Sequence, residues 1–239
     1  MKLYDDAAVQ VPAPLATFHA SEGASFVAAG TWLTGEERSA VVRYARQARA
    51  TAGLAKAAND VGPAPESVLP QALLDFVAVL AVAPQRFTRD VYAQALSAGI
   101  TDVEYDEVVG LVSRVVNLDV FAHGLGAAPC TLPAADDVEP TFERPAGAVD
   151  DGAWVPTLPT GPAGGDAGKA LYGDNMQPFI YRALSLVPSE ARSIIEGGNL
   201  QYLTLDHFFD FDYSLYPELS RSQVELIAGR VSAFNECFY

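Results

Sequence analysis

The run from Thr101 to Gly124, TDVEYDEVVGLVSRVVNLDVFAHG, limits the fold more than any other stretch. Thr101 opens it and Glu104 follows three residues later, the reciprocal pattern that caps a helix N-terminus. Apolar residues nearly surround the axis of the helix so formed, so it belongs at the centre of a bundle. Valines also favour strands, but the run is too long for a typical strand. A chain built round such an element is expected to be all-α.

The flanking sequence agrees. Thr34 and Glu37 make a second capping box, opening a helix that runs to about Lys56. Ser67 to Val82 (SVLPQALLDFVAVLAV) is strongly apolar and stops before Pro84, and Thr88 to Ala98 reads as a further helix. Beyond residue 170, a helix is predicted from Asn175 to Glu196, stopping at Gly197-Gly198-Asn199, a C-cap signal. The last helix starts at Ser220 and is predicted to reach Phe238. Nothing between the helices alternates at period two.

Between these groups lies Thr131 to Gly168, which holds six of the 16 prolines and six of the 19 glycines. Proline removes backbone donors and glycine raises chain entropy, so the segment reads as a linker, with Trp154 and Val155 able to dock it. The expected organisation is a helical unit over 1–130, a Pro/Gly-rich linker over 131–168 and a second helical unit over 169–239. Two windows support relatedness of the units. Glu107 to Phe121 (EVVGLVSRVVNLDVF) matches Glu225 to Tyr239 (ELIAGRVSAFNECFY) at a shift of 118, pairing Glu107 with Glu225, Asn117 with Asn235 and Asp119 with Cys237.

Charge narrows the function. With 15 basic and 30 acidic residues the chain carries −15, which argues against nucleic-acid backbones and anionic membrane surfaces as partners. No apolar stretch approaches the roughly 20 residues of a spanning helix. The start, MKLYDDAAVQVPAP, does not read as a signal peptide, so a cytoplasmic protein is expected. The two cysteines, Cys130 and Cys237, do not make a disulfide framework.

The ending, LSRSQVELIAGRVSAFNECFY (Leu219 to Tyr239), resembles the motif helix of the alkylhydroperoxidase D and carboxymuconolactone decarboxylase superfamily. That motif sets a Cys 12 positions after a Glu, then x-x-Cys, then x-x-x-His. Glu225 and Cys237 fit the spacing, Asn235-Glu236-Cys237 fits the approach, and Tyr239 holds a place where the family has a His. The upstream stretch NMQPFIYRALSL (Asn175 to Leu186) is similar to the preceding helix of the same superfamily. The resemblance implies two alkylhydroperoxidase D-like helical units and peroxide reduction by a Cys-x-x-Cys pair. Hydroperoxide is the implied substrate, with an external dithiol as reductant, a homo-oligomeric assembly, and no cofactor or metal. Cys237, Glu225 and Tyr239 are the implied site residues. Cys237 matches the resolving thiol, and the attacking thiol has no counterpart. In the first unit Asp119, Ala122 and Gly126 stand at the positions of the two cysteines and the His, so that unit is expected to be inactive.

In the chemistry implied, a thiolate attacks the peroxide O–O bond and becomes a sulfenic acid. A second thiol condenses with it to a disulfide, and a Glu–His relay moves protons. Twelve residues at about 100° each leave Glu225 and Cys237 about 120° apart on one helix, so their contact needs a break near Asn235. Two alternatives remain open. One is a decarboxylase-like enzyme working by acid–base chemistry on a small lactone. The other is a non-enzymatic helical oligomerisation protein.

Several other features read more simply. Cys130 reads as a packing residue and Glu107 as a satisfied helix-surface carboxylate. His19, His123 and His207 are scattered, without metal-ligand spacing. DHFFDFDY (Asp206 to Tyr213) reads as an acidic capping segment with aromatic anchors. GGDAGKA (Gly164 to Ala170) lacks the glycine, the hydroxyl residue and the preceding strand of a phosphate loop.

Overall fold

A computed structural model describes residues 3–5 and 7–237. Nine α-helices occur among the described residues, with no strand beyond one isolated antiparallel bridge, Val149 to Thr157. The protein is all-α. In chain order the helices are α1 (Ala13–Ser25), α2 (Gly35–Thr51), α3 (Gln71–Val82), α4 (Arg89–Ser97), α5 (Asp102–Gly124), α6 (Gly165–Tyr172), α7 (Phe179–Arg182), α8 (Pro188–Gln201) and α9 (Arg221–Phe234). The chain divides into two compact units, one up to Ile194 and one from Ile195.

Both expected capping boxes form. Thr34 Oγ1 accepts the Glu37 N–H and the Glu37 carboxylate accepts the Thr34 N–H; Thr101 and Glu104 do the same at α5. Satisfying two orphan donors at each start fixes where α2 and α5 begin.

The core of the first unit is α2, α3 and α5. Val41, Val42 and Ala45 of α2 meet Leu74 and Val77 of α3 and Val108, Leu111 and Val115 of α5, all buried. Helix α5 buries residues around most of its circumference, as a central helix must. An aromatic group caps one side, with Phe76 stacked on Tyr105 and Trp154 against Phe87 and Tyr92.

The Pro/Gly-rich stretch 131–168 has little regular structure before Gly161, yet it packs within the first unit. Val155, Thr157 and Leu158 are buried, and the N–H groups of Asp136 and Phe142 donate to the carbonyls of Val27 and Thr31. Helix α1 was not anticipated: it starts at a proline-rich segment with no side-chain cap. The expected helix over 175–196 is divided instead into α7 and α8, and α8 runs through Gly197 and Gly198 to Gln201. Helix α9 has its Ser220 cap but ends at Phe234. No helix among the described residues is long and apolar enough to cross a membrane.

Candidate functional site

Three places concentrate chemistry. The first is a buried charge cluster in the first unit. Arg38 of α2 donates from Nη1 to Glu107 Oε1 of α5 at 2.5 Å and to Glu190 Oε1 of α8 at 2.9 Å. Arg114 of α5 pairs with Glu22 Oε2 of α1 at 2.8 Å and Glu190 Oε2 at 2.7 Å. Glu107 Oε2 also accepts the Trp32 N–H at 2.7 Å. All five charged side chains are essentially buried, Glu107 completely. The surface placement expected for Glu107 is therefore corrected. It is satisfied, but by partners 69 and 75 positions away that no local pattern announces. Close approach requires Gly30: a Cβ there would lie 1.7 Å from Glu107 Oε1.

Two guanidiniums face three carboxylates in this cluster. Burial raises the Glu107 pKa against the pull of Arg38 and with the push of Glu190. Burial disfavours the Arg38 charge, but Glu190 and Glu107 together hold its pKa above the ordinary value. Next to Glu107, Asp106 is fully buried, and burial lifts its carboxyl well above the usual range. Its Oδ2 accepts the Val187 N–H at 3.1 Å, while Oδ1 has no hydrogen-bond partner. This cluster ties α1, α2, α5 and α8 together.

The second place is a cleft of about 500 Å³ in the first unit, where Arg46 of α2 faces Asp119 of α5. Arg46 forks onto Asp119 with two bonds of 2.8 Å and reaches Asp60 Oδ1 at 2.7 Å. The same guanidinium donates to the Cys130 carbonyl at 3.1 Å and lies 3.6 Å from Cys130 Sγ. Burial raises the Cys130 pKa despite Arg46, so the thiol stays protonated. Sequence reasoning noted Asp119 only as a substituted cysteine and Cys130 only as packing. Nothing in the order of residues signals that α2 brings Arg46 to both.

The third place is the end of α9 in the second unit. Glu225 is partly exposed and bonded to Tyr202 Oη at 2.7 Å and Arg221 Nε at 2.5 Å. The Tyr202 hydrogen bond, then Arg221, hold its pKa below the ordinary value. Cys237 is exposed, beyond the helix end. Asn235 is the C-cap, Glu236 takes a left-handed φ of 53°, and the Cys237 N–H bonds to the Ser232 carbonyl. The register that would hold Glu225 and Cys237 about 120° apart thus ends three residues before the thiol. Tyr239 lies outside the described residues.

The paired windows have different surroundings. Glu107 is buried on Arg38, whereas Glu225 sits at the surface on Arg221. Elsewhere, His207 stacks on Tyr213 with ring centroids 3.7 Å apart. His19 accepts or donates a 2.6 Å hydrogen bond with Tyr4, and burial lowers its pKa to about 4. The described residues contain no group of three His, Cys, Asp or Glu placed to hold a metal ion. No family model, curated protein or solved structure matches the chain.

Proposed function

We propose that the second unit carries thiol redox chemistry of the alkylhydroperoxidase D type, with Cys237 in the resolving role and Glu225 as the carboxylate that handles protons. The supporting observation is the release of Cys237 from helical register at Asn235, which leaves an exposed sulfur just past a capped helix. In this role the Cys237 thiolate attacks a sulfenic acid or disulfide sulfur on another molecule. An S–S bond forms, water or a thiolate leaves, and an external dithiol then reduces the product by two electrons.

Treatment with glutathione disulfide tests this directly. A mixed disulfide at Cys237, absent in Cys237→Ser, is the expected product, while consumption of an organic hydroperoxide stays no faster than with a free thiol. Failure of Cys237 to form the mixed disulfide sinks the reading. Fast peroxide consumption lost in Cys237→Ser would instead make Cys237 the attacking sulfur.

A second reading, a helical self-association module, is favoured by a separate observation. Ile227, Val231 and Phe234 share one face of α9 at helical spacing, with Leu226 beside them, and each is more than half exposed. So small a unit has little core of its own: Leu203 and Val224 are the buried large apolar side chains described in it. A second copy presenting the same helix would cover this stripe with a self-complementary contact. Light scattering should give a mass above one chain, falling to one chain in Val231→Glu. A monomer at the outset removes this reading.

A further inference from the structure

The cleft of the first unit has a charge pattern that the thiol reading leaves unused. Arg46 is fully engaged by Asp119, Asp60 and the Cys130 carbonyl. Its neighbour Arg49, one turn along α2, is not. Arg49 donates from Nη1 to the Ala81 carbonyl at 2.9 Å, but its Nε is buried without a hydrogen-bond partner. The nearest carboxylate acting on it is Asp119, which is already forked onto Arg46. An exposed Lys56 stands at the rim. Arg46, Arg49 and Lys56 against Asp60 and Asp119 leave one positive charge on the cleft, in a chain whose net charge is −15. The rest of the wall is mostly apolar, from Leu54, Ala57, Val120, Ala127 and Pro129, with Asn59, His123 and Thr131 as its further polar members.

We propose that this cleft binds a small organic monoanion, a carboxylate with an apolar tail. The carboxylate is held by Arg49 and Lys56, and the tail lies against Leu54, Val120 and Pro129. The size falls within the range of small-molecule sites, which combine apolar walls with a few convergent polar groups. An uncharged ligand would leave the surplus positive charge of the cleft without a counter-charge. A dianion would exceed the single surplus charge. Inorganic phosphate would leave the apolar wall uncovered.

Hexanoate is a suitable probe, with hexanol and inorganic phosphate as comparisons, in calorimetric titrations of the full chain. Hexanoate should bind with a Kd near or below about 1 mM, the range that eight heavy atoms can support. Arg49→Met should weaken it by about tenfold or more, as loss of a charge-assisted hydrogen bond does. Lys56→Met, at an exposed position that folding does not depend on, should weaken it several-fold, whereas the exposed α4 variant Arg89→Met should leave it unchanged. Cys130, on the cleft wall, gives a second readout. In the Cys237→Ser chain, hexanoate should slow alkylation of Cys130 by N-ethylmaleimide. Equal binding of hexanol would overturn the charge assignment, and phosphate binding as tightly as hexanoate would overturn the apolar tail. No binding of hexanoate, or binding indifferent to both Arg49→Met and Lys56→Met, would overturn the site.

Discussion

Arg38 reaches Glu107 at 2.5 Å with neither side chain open to solvent, joining α2 to the second turn of α5. The pair is one link in a set where two guanidiniums meet three carboxylates. That imbalance makes the two partners unequal. Arg38→Met leaves three buried carboxylates on one guanidinium and should cost about 3–5 kcal/mol, the usual penalty for stranding a buried charge. Glu107→Gln removes the surplus carboxylate and keeps hydrogen-bonding capacity, so it should cost much less. Urea denaturation of both variants measures the difference, and equal losses would contradict the imbalance.

The same contact fixes the side chain allowed at residue 30. A Cβ on Gly30 would fall 1.7 Å from Glu107 Oε1 and 2.7 Å from Arg38 Nη1, so Gly30→Ala must displace the ion pair. A loss of roughly 3 kcal/mol or more is expected in chemical denaturation. Gly124, the last residue of α5, has nothing within 4 Å of an added Cβ. Gly124→Ala should therefore be neutral or stabilising by up to about 1 kcal/mol, through reduced unfolded-state entropy. A mild Gly30→Ala would mean that the cluster is easily rearranged.

These buried polar groups were the least legible part of the chain. Caps are local, so Thr34 with Glu37, Thr101 with Glu104 and Ser220 announce α2, α5 and α9 within three residues. The central position of α5 was legible too, because a helix apolar on all sides has one place to go. Asp106 and Glu107 beside Val108 carry no such mark, since their partners come from α2, the segment before α2 and the residue just before α8. Helix α1 lacks a polar cap, and α8 continues through the two glycines that the sequence reads as a stop. At the end of α9, the sequence named Glu225 and Cys237 as candidates, but did not signal the hydrogen bonds that hold Glu225 on Tyr202 and Arg221.

Asp106 gives the first unit a pH dependence of known sign. Burial, with the nearby Glu190 charge adding to it, raises its carboxyl well above the ordinary 3.8, so the folded chain keeps a proton that the unfolded chain releases. Stability from this group is complete below about pH 3.8 and is lost as the pH climbs through the raised folded value. Asp106→Asn keeps an acceptor for the Val187 N–H and removes the titration. The variant should melt above the parent at neutral pH, with the difference closing as the pH approaches about 4. A difference that stays constant over that range would show that Asp106 does not titrate with folding.

The two cysteines should separate cleanly by reactivity, because their surroundings oppose each other. Cys237 lies exposed beyond the end of α9. Cys130 is partly covered, and burial raises its pKa although Arg46 stands 3.6 Å from the sulfur. Alkylation requires both access and thiolate, so iodoacetamide near pH 7.5 should modify Cys237 at least about tenfold faster than Cys130. Peptide mass spectrometry over a time course resolves the two sites. Raising the pH should accelerate Cys130, as its thiolate fraction grows. Arg46→Met should remove the one cation that favours the Cys130 thiolate and slow it further at a given pH, provided the cleft stays closed. Should Cys130 react first at neutral pH, the redox role proposed for Cys237 would have to be abandoned.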